Sequence, residues 1–179
     1  MAVVMMIGLA RGTVQLQPYL AEWKQLFEQE ATLLRSAMGA AVLNVEHIGS
    51  TAINGMLAKP IIDLVVVVCS LNGAEVWIPT LQALGYEHRT HDAVPDRLFF
   101  AKGPPSRRTH HLSLAEARSK FYTEKLLFRD YLTSHREAFD EYLRLKTELA
   151  LRFPNDRDSY TESKRGFVER IISLAKSES

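Results

Sequence analysis

Early in the chain, Leu20, Trp23, Phe27, Leu34 and Met38 recur at helical spacing, which predicts a helix from Pro18 to about Met38. Pro18 suits its first turn and Gly39 its stop. The period then shortens. VLNVEHI, residues 42–48, reads as a strand ending at Gly49, and TAINGMLAK is a connection whose Gly55 breaks any regular helix. PIIDLVVVV, residues 60–68, is so dense in β-branched side chains that it predicts a strand buried on both faces. LNGAEVWIPTLQALG, residues 71–85, predicts a helix, with Pro79 the misfit residue inside it and Gly85 its end. DRLFFAKG (96–103) and RTHHLSLAE (108–116) predict strands joined through the turn-rich GPPSRR. From Arg118 onward the spacing is helical, over 118–134, 136–152 and 157–176, with RFPNDRD breaking the last two apart. No internal repeat or low-complexity segment interrupts this order. The expected class is α+β, or mixed α/β: a sheet in the first two thirds and a helical segment packed on it.

Composition narrows the setting. A chain of 179 residues, 46% apolar and 24% charged, is ordinary for one globular domain. A net charge of +1 argues against a general attraction to nucleic acid or to an anionic membrane. The single cysteine, Cys69, has no internal disulfide partner and follows an apolar strand, which predicts a reducing compartment and an inert buried thiol. The opening MAVVMMIGLARG is too short to span a bilayer and has no basic residue ahead of its apolar run. Residues 1–13 are therefore expected to be an extra N-terminal strand or tail before a single domain over 14–179, and the location to be cytoplasmic.

Within PIIDLVVVV stands one carboxylate, Asp63. Burying a carboxylate is costly unless it is paired, hydrogen-bonded or bound to a metal. Metal-dependent phosphoryl or nucleotidyl transfer usually places two carboxylates one residue apart on a strand, but Ile61 and Val65 occupy both positions where a second would stand. Two readings remain: a residue that binds a divalent metal or acts as a base, or an aspartate paired with Lys59, an arginine or a backbone turn. The Gly49-Ser50 pair shortly before has its own logic. Glycine lets the backbone turn closely, and the following N–H groups with the Ser50 and Thr51 hydroxyls can face a phosphate. Lys59 would add a point charge to the same anion, or it is simply a solvated lysine before a proline.

Alternation along strands divides the adjacent polar pairs. Glu46 shares a face with Asn44 and is the candidate second metal ligand, whereas His47 lies with Leu43 and Val45 and reads as a core histidine. His111 lies with Thr109 and Ser113 and is the candidate site residue; His110 lies with Leu112 and Leu114. Arg97, Arg107, Arg108 and Arg129 are candidates to complete an anion pocket, against the plainer reading of solvated or ion-paired side chains. Lys164 falls on the same helix face as Tyr160, Phe167 and Ile171, so it either reaches inward to the site or snorkels outward. The His110-His111 pair lacks further ligands at zinc spacing.

EHIGSTAINGMLAKPIIDLVVVV resembles the signature of the GrpB family, which is assigned by prediction to the nucleotidyltransferase superfamily. Pro18, Tyr19, Glu22 and Trp23, then DRLFF, RTHHL, FRDYL, Tyr160, Lys164 and Phe167 extend the likeness over nearly the whole chain. The resemblance implies a nucleotidyltransferase-like mixed sheet flanked by helices, and a nucleotide or phosphorylated small molecule as ligand. The residues themselves carry the leading expectation of magnesium or manganese on Asp63 and Glu46, phosphate at Gly49, Ser50, Thr51, Lys59, Arg97, Arg129 and Lys164, and catalytic roles for Asp63 and His111. If the protein is an enzyme, a nucleotidyl or phosphoryl group is what it would transfer. The alternative is a non-catalytic folding-accessory or interaction module serving a partner enzyme, as in fusions of this family to dephospho-coenzyme A kinase. Two departures stand out: Asn54 where the family commonly has proline, and Ser113 where it commonly completes an HLH run after His111 and Leu112. The missing second carboxylate is shared with the family.

Overall fold

The computed structural model describes residues 7–90 and 96–178. Helix α1 (Glu22–Met38) leads through a short turn to strand β1 (Asn44–Ile48), and a turn at Ser50–Ala52 leads to β2 (Ile62–Val68). Helix α2 (Ile78–Ala83) and strands β3 (Tyr86–His88), β4 (Leu98–Lys102) and β5 (His110–Glu116) follow, and then helices α3 (Lys120–Ser134), α4 (Arg136–Arg152), α5 (Arg157–Glu162) and α6 (Arg165–Ser177). Among the described residues the strands form one five-stranded sheet in the order β1-β2-β5-β4-β3. Only β2 and β5 run parallel; the other neighbours are antiparallel. The mixed α/β class and the C-terminal helical segment are as expected.

The sheet separates two apolar layers, and β2 explains why. All of its residues but Asp63 are buried. Ile62, Leu64, Val66 and Val68 pack with Leu112, Leu114 and Phe100 under Trp23, Phe27 and Leu34 of α1. Val65 and Val67 face the other way with Ile48 and Ala115, beneath Phe121, Tyr122 and Leu126 of α3. Each such aliphatic side chain contributes about 1.5–3 kcal/mol by leaving water. A further cluster, built on Ile53, Met56, Leu132, Phe139, Tyr142, Phe167 and Ile171, joins the C-terminal helices to the β1–β2 connection.

Several expectations change in detail. Helix α1 begins at Glu22, four residues after Pro18. The region expected as one helix over 71–85 is a 3-10 turn, Ala74–Trp77, followed by α2, and Pro79 sits in the first turn of α2, where its missing N–H costs nothing. The expected last helix divides into α5 and α6 at Ser163 and Lys164. Strand β3 has three residues, too few for a period to register. Cys69 is exposed rather than buried, because β2 ends at Val68 and the chain turns outward there. Of the N-terminal segment, residues 1–6 lie outside the described residues, and Leu9 makes a single bridge to Arg108. Among the described residues no helix is long and apolar enough to cross a membrane.

On the α1 face, the cross-strand neighbours Ile62, His110, Lys102 and Tyr86 form a row. Glu30 of α1, 5% exposed, accepts from the Tyr86 hydroxyl at 2.8 Å and from the Lys102 ammonium at 2.8 Å. His110 lies 3.9 Å from the same carboxylate, and burial lowers it to a pKa of about 4. Removing one partner of such a buried pair strands the other charge. Glu30→Ala is expected to cost about 3 kcal/mol in equilibrium urea unfolding; a loss below about 1 kcal/mol would show the clamp to be dispensable.

Candidate functional site

Immediately behind that row, on the opposite face, a second row runs Ile48, Asp63, His111, Ala101 and Glu87 across all five strands. Helix α3 covers the sheet beside it, and the row as far as Ala101 floors a cleft of about 740 Å³ bounded by the C-terminal helices. Asp63 lies near the start of β2, where its side chain keeps 36% exposure. Its Oδ1 accepts a hydrogen bond from His111 Nδ1 at 2.9 Å. A carboxylate accepts only, so neutral His111 carries its proton on Nδ1 and leaves Nε2 with a lone pair.

Gly49 makes room for this carboxylate. Its φ of 71° is left-handed, and a Cβ built there would stand 2.6 Å from Asp63 Oδ2. Ser50 opens the turn that follows and lines the cleft. Thr51 is 2% exposed; its hydroxyl lies 3.0 Å from His47 Nε2 and donates to the Ile61 carbonyl, so it positions the loop. His47 stacks on Phe27 with ring centroids 4.7 Å apart, and burial lowers it to a pKa of about 4, a core histidine as the alternation predicts.

Glu46 shares the Asp63 face, as expected, but it stands opposite Val65, and its carboxylate accepts from Arg129 at 2.8 Å and from Asn44 at 2.8 Å. Arg129 also donates to the His47 carbonyl and to Asp130, and neither Glu46 nor Arg129 lines the cleft. That pair ties α3 to β1, which corrects the expectation of a metal ligand and of a phosphate-binding arginine. Arg97 does line the cleft, stacked over Phe99 at 4.4 Å and Phe121 at 4.9 Å, and donates to Ser113 Oγ at 3.1 Å. Ser113 is thus an arginine anchor here.

The cleft's other wall carries lysines and an arginine beside the carboxylates of Asp156, Asp158 and Glu162. The Lys164 ammonium sits 4.0 Å from the Tyr160 ring centroid and Lys59 sits 5.6 Å from it on the sheet side. Lys146 of α4, 2% exposed, donates to the Leu57 carbonyl and lines the same space, as does Arg157 of α5. Sequence reasoning missed Lys146 and Arg157. Lys146 carries the signal that singled out Lys164: it interrupts the buried helix face of Phe139, Tyr142 and Leu149. Arg157 follows a turn and carries none.

Burial, then mutual repulsion, governs these charges. Lys164 falls to a pKa of about 7 through burial and the nearby Lys59, and Lys59 falls to about 8 through burial and Arg157. Lys146 drops well below the ordinary lysine range by burial and its lysine neighbours. Burial alone would raise Asp63, but the His111 hydrogen bond and the charges of His111, Lys59 and Arg157 hold it below the usual carboxylate range. Burial lowers His111 against the pull of Asp63.

Magnesium or manganese does not fit the donor set. Among the described residues no three histidine, cysteine, aspartate or glutamate side chains stand together as ligands. Glu46 is taken by Arg129, and Asp63 faces a histidine and several cations. Such a surrounding suits an anion.

A mixed α/β domain with a cation-walled cleft on one sheet face is the class that fold and site define together. The chain belongs to the GrpB family: the family described as GrpB protein matches residues 13–174. The glutamate-rich protein GrpB of Alkalihalophilus pseudofirmus is 37% identical over 172 residues, covering 94% of this chain and 99% of that one. The crystal structure of the conserved protein GrpB from Enterococcus faecalis superposes with a TM-score of 0.84 at 31% identity, over 92% of this chain and 98% of that one. The dephospho-CoA kinase of Mycolicibacterium paratuberculosis is 31% identical over 182 residues, 87% of this chain but only 44% of the kinase.

Two outcomes test this geometry. Gly49→Ala must relieve both a left-handed backbone and the contact with Asp63, and is expected to lose about 1–3 kcal/mol in chemical denaturation. Lys164 titrates from about 7 when folded, against 10.5 in an unperturbed lysine, so the unfolded chain binds more protons between those values and stability rises with pH across that window. Lys164→Met is therefore expected to be more stable than the parent below pH 7, with the gap closing as pH rises toward about 10; a gap independent of pH would remove the buried charge from the account.

Proposed function

We propose that this protein binds a nucleotide or another phosphorylated small molecule in the cleft, with Lys59, Lys146, Lys164 and Arg157 as counter-charges and the Gly49-Ser50 turn beside the phosphate. One observation carries the reading: three lysines and an arginine line the cleft around Asp63, and burial together with their like-charged neighbours costs the lysines proton affinity there. A bound phosphate would supply the missing negative charge and restore it. The Asp63–His111 pair adds chemistry to the binding. Its free Nε2 is suited to take the proton of an acceptor hydroxyl as that oxygen attacks phosphorus; the bond to the leaving phosphate oxygen breaks with its electron pair, and the cations stabilise the charge that develops.

Thermal unfolding against nucleoside triphosphates, with magnesium or manganese present and absent, tests this. A ligand at one hundred times its Kd adds about 2.7 kcal/mol, or roughly 5–10 °C for a domain of this size. A shift is expected with the parent and a changed one with Asp63→Asn. Full retention of binding and turnover in Asp63→Asn would remove Asp63 from the site.

The dephospho-CoA kinase relatives favour a second reading, a non-catalytic module that docks or assists a partner enzyme. It predicts no thermal response to any nucleotide, and partner binding that survives Asp63→Asn and Ser50→Ala.

A further inference from the structure

The residues ahead of α1 are stitched to both walls of the cleft. On the sheet side, the Gly8 N–H donates to the Pro60 carbonyl at 2.7 Å, and Leu9 and Arg108 exchange both of their backbone hydrogen bonds. The Arg11 N–H donates to the Pro105 carbonyl at 2.8 Å. On the helix side, the Val14 N–H donates at 2.8 Å to the carbonyl of Pro154, between α4 and α5, and the Val14 side chain is buried with Leu149 and Tyr160. Gln17 then exchanges backbone hydrogen bonds with Ala58. The segment is a strap, and its bonds to Ala58 and Pro60 bracket Lys59.

Between its two attachments the strap makes a tight turn. The Thr13 N–H and hydroxyl both donate to the Ala10 carbonyl, and Gly12 takes a left-handed φ of 87° at the third position of the turn, where glycine is favoured. Arg11 holds the second position, and both Arg11 and Gly12 line the cleft. Arg97 and Arg108, which also line it, are committed to Ser113 and Glu87. Arg11 is exposed and, among the described residues, its guanidinium is in no ion pair. It precedes residue 13, where the family match begins.

We infer that Arg11 is a ligand-binding residue: the turn of the strap brings its guanidinium to the phosphate held among Lys59, Lys146, Lys164 and Arg157. This rests on the anion-site reading above, and it adds a specificity-determining contact from a part of the chain that the family match does not cover. Arginine suits the role, because its planar fork donates two parallel hydrogen bonds to phosphate oxygens where a lysine offers a point charge. The backbone of Arg11 is fixed by its bond to Pro105, so the turn is already in place and only the side chain has to settle on the ligand.

Isothermal titration calorimetry of the full chain with pyrophosphate and with a nucleoside triphosphate tests it. Arg11→Ala is expected to weaken the tighter-binding probe about tenfold, and Arg11→Lys to recover part of that loss. Without ligand, Arg11→Ala is expected to unfold at the parent's temperature, because an exposed side chain outside any ion pair carries little stability; Arg11→Gln serves if it does not. Arg35→Ala, on exposed α1 surface across the sheet from the cleft, removes the same charge and is expected to bind as the parent does. Arg11→Ala binding both probes as tightly as the parent, or Arg35→Ala losing as much as Arg11→Ala, overturns the assignment of Arg11 and leaves the anion site standing. Binding of neither probe by the parent overturns the anion site and this inference with it.

Discussion

The Asp63 carboxylate is the constraint around which the cleft is arranged. It sits in a strand whose every other residue is buried, and its charge is sustained there by the proton of His111 on the next strand and by cations contributed from beyond the sheet. Gly49 lacks a side chain because that carboxylate occupies the space. Lys59, Lys146 and Lys164 give up proton affinity first to burial and then to their like-charged neighbours, against the opposing pull of Asp63. The excess of positive charge is a property of the folded protein alone: the chain as a whole carries a net charge of only +1.

The sheet keeps two polar systems back to back without letting them mix. His110 and His111, Lys102 and Ala101, and Tyr86 and Glu87 are chain neighbours that the pleat sends to opposite faces. One set is gathered by Glu30 of α1 into a buried clamp, and of the other His111 and Ala101 floor the open cleft. A register slip of one residue in β5 would exchange the two, so the clamp that stabilises one face also fixes the composition of the other.

Much of this is legible in the chain before any coordinates. β-branched density marks β2 as buried on both faces, and period-two alternation separates His47 from Glu46 and His110 from His111, with Glu46 and His111 as the candidates for the site. Alternation cannot say what a side chain meets once it has crossed to its face. Glu46 lies on the expected side yet is consumed by Arg129, eighty-three positions later in the chain. Lys146 and Arg157 reach the site from helices whose docking no local pattern encodes. β3 is too short to show a period, and Cys69 lies one residue past the end of a strand whose end the apolar run does not mark.

The division of the site between sheet and helices has a consequence for how it comes into being. Asp63, His111 and Lys59 precede α3, whereas Lys146, Arg157 and Lys164 all follow it. During synthesis the acid and its histidine therefore leave the ribosome well before Lys146, Arg157 and Lys164, and a chain arrested after β5 holds the carboxylate with Lys59 alone of the lysines that line the cleft. The cleft is completed by the C-terminal helices, and proteolytic loss of those helices would leave the sheet floor without Lys146, Arg157 and Lys164 facing it.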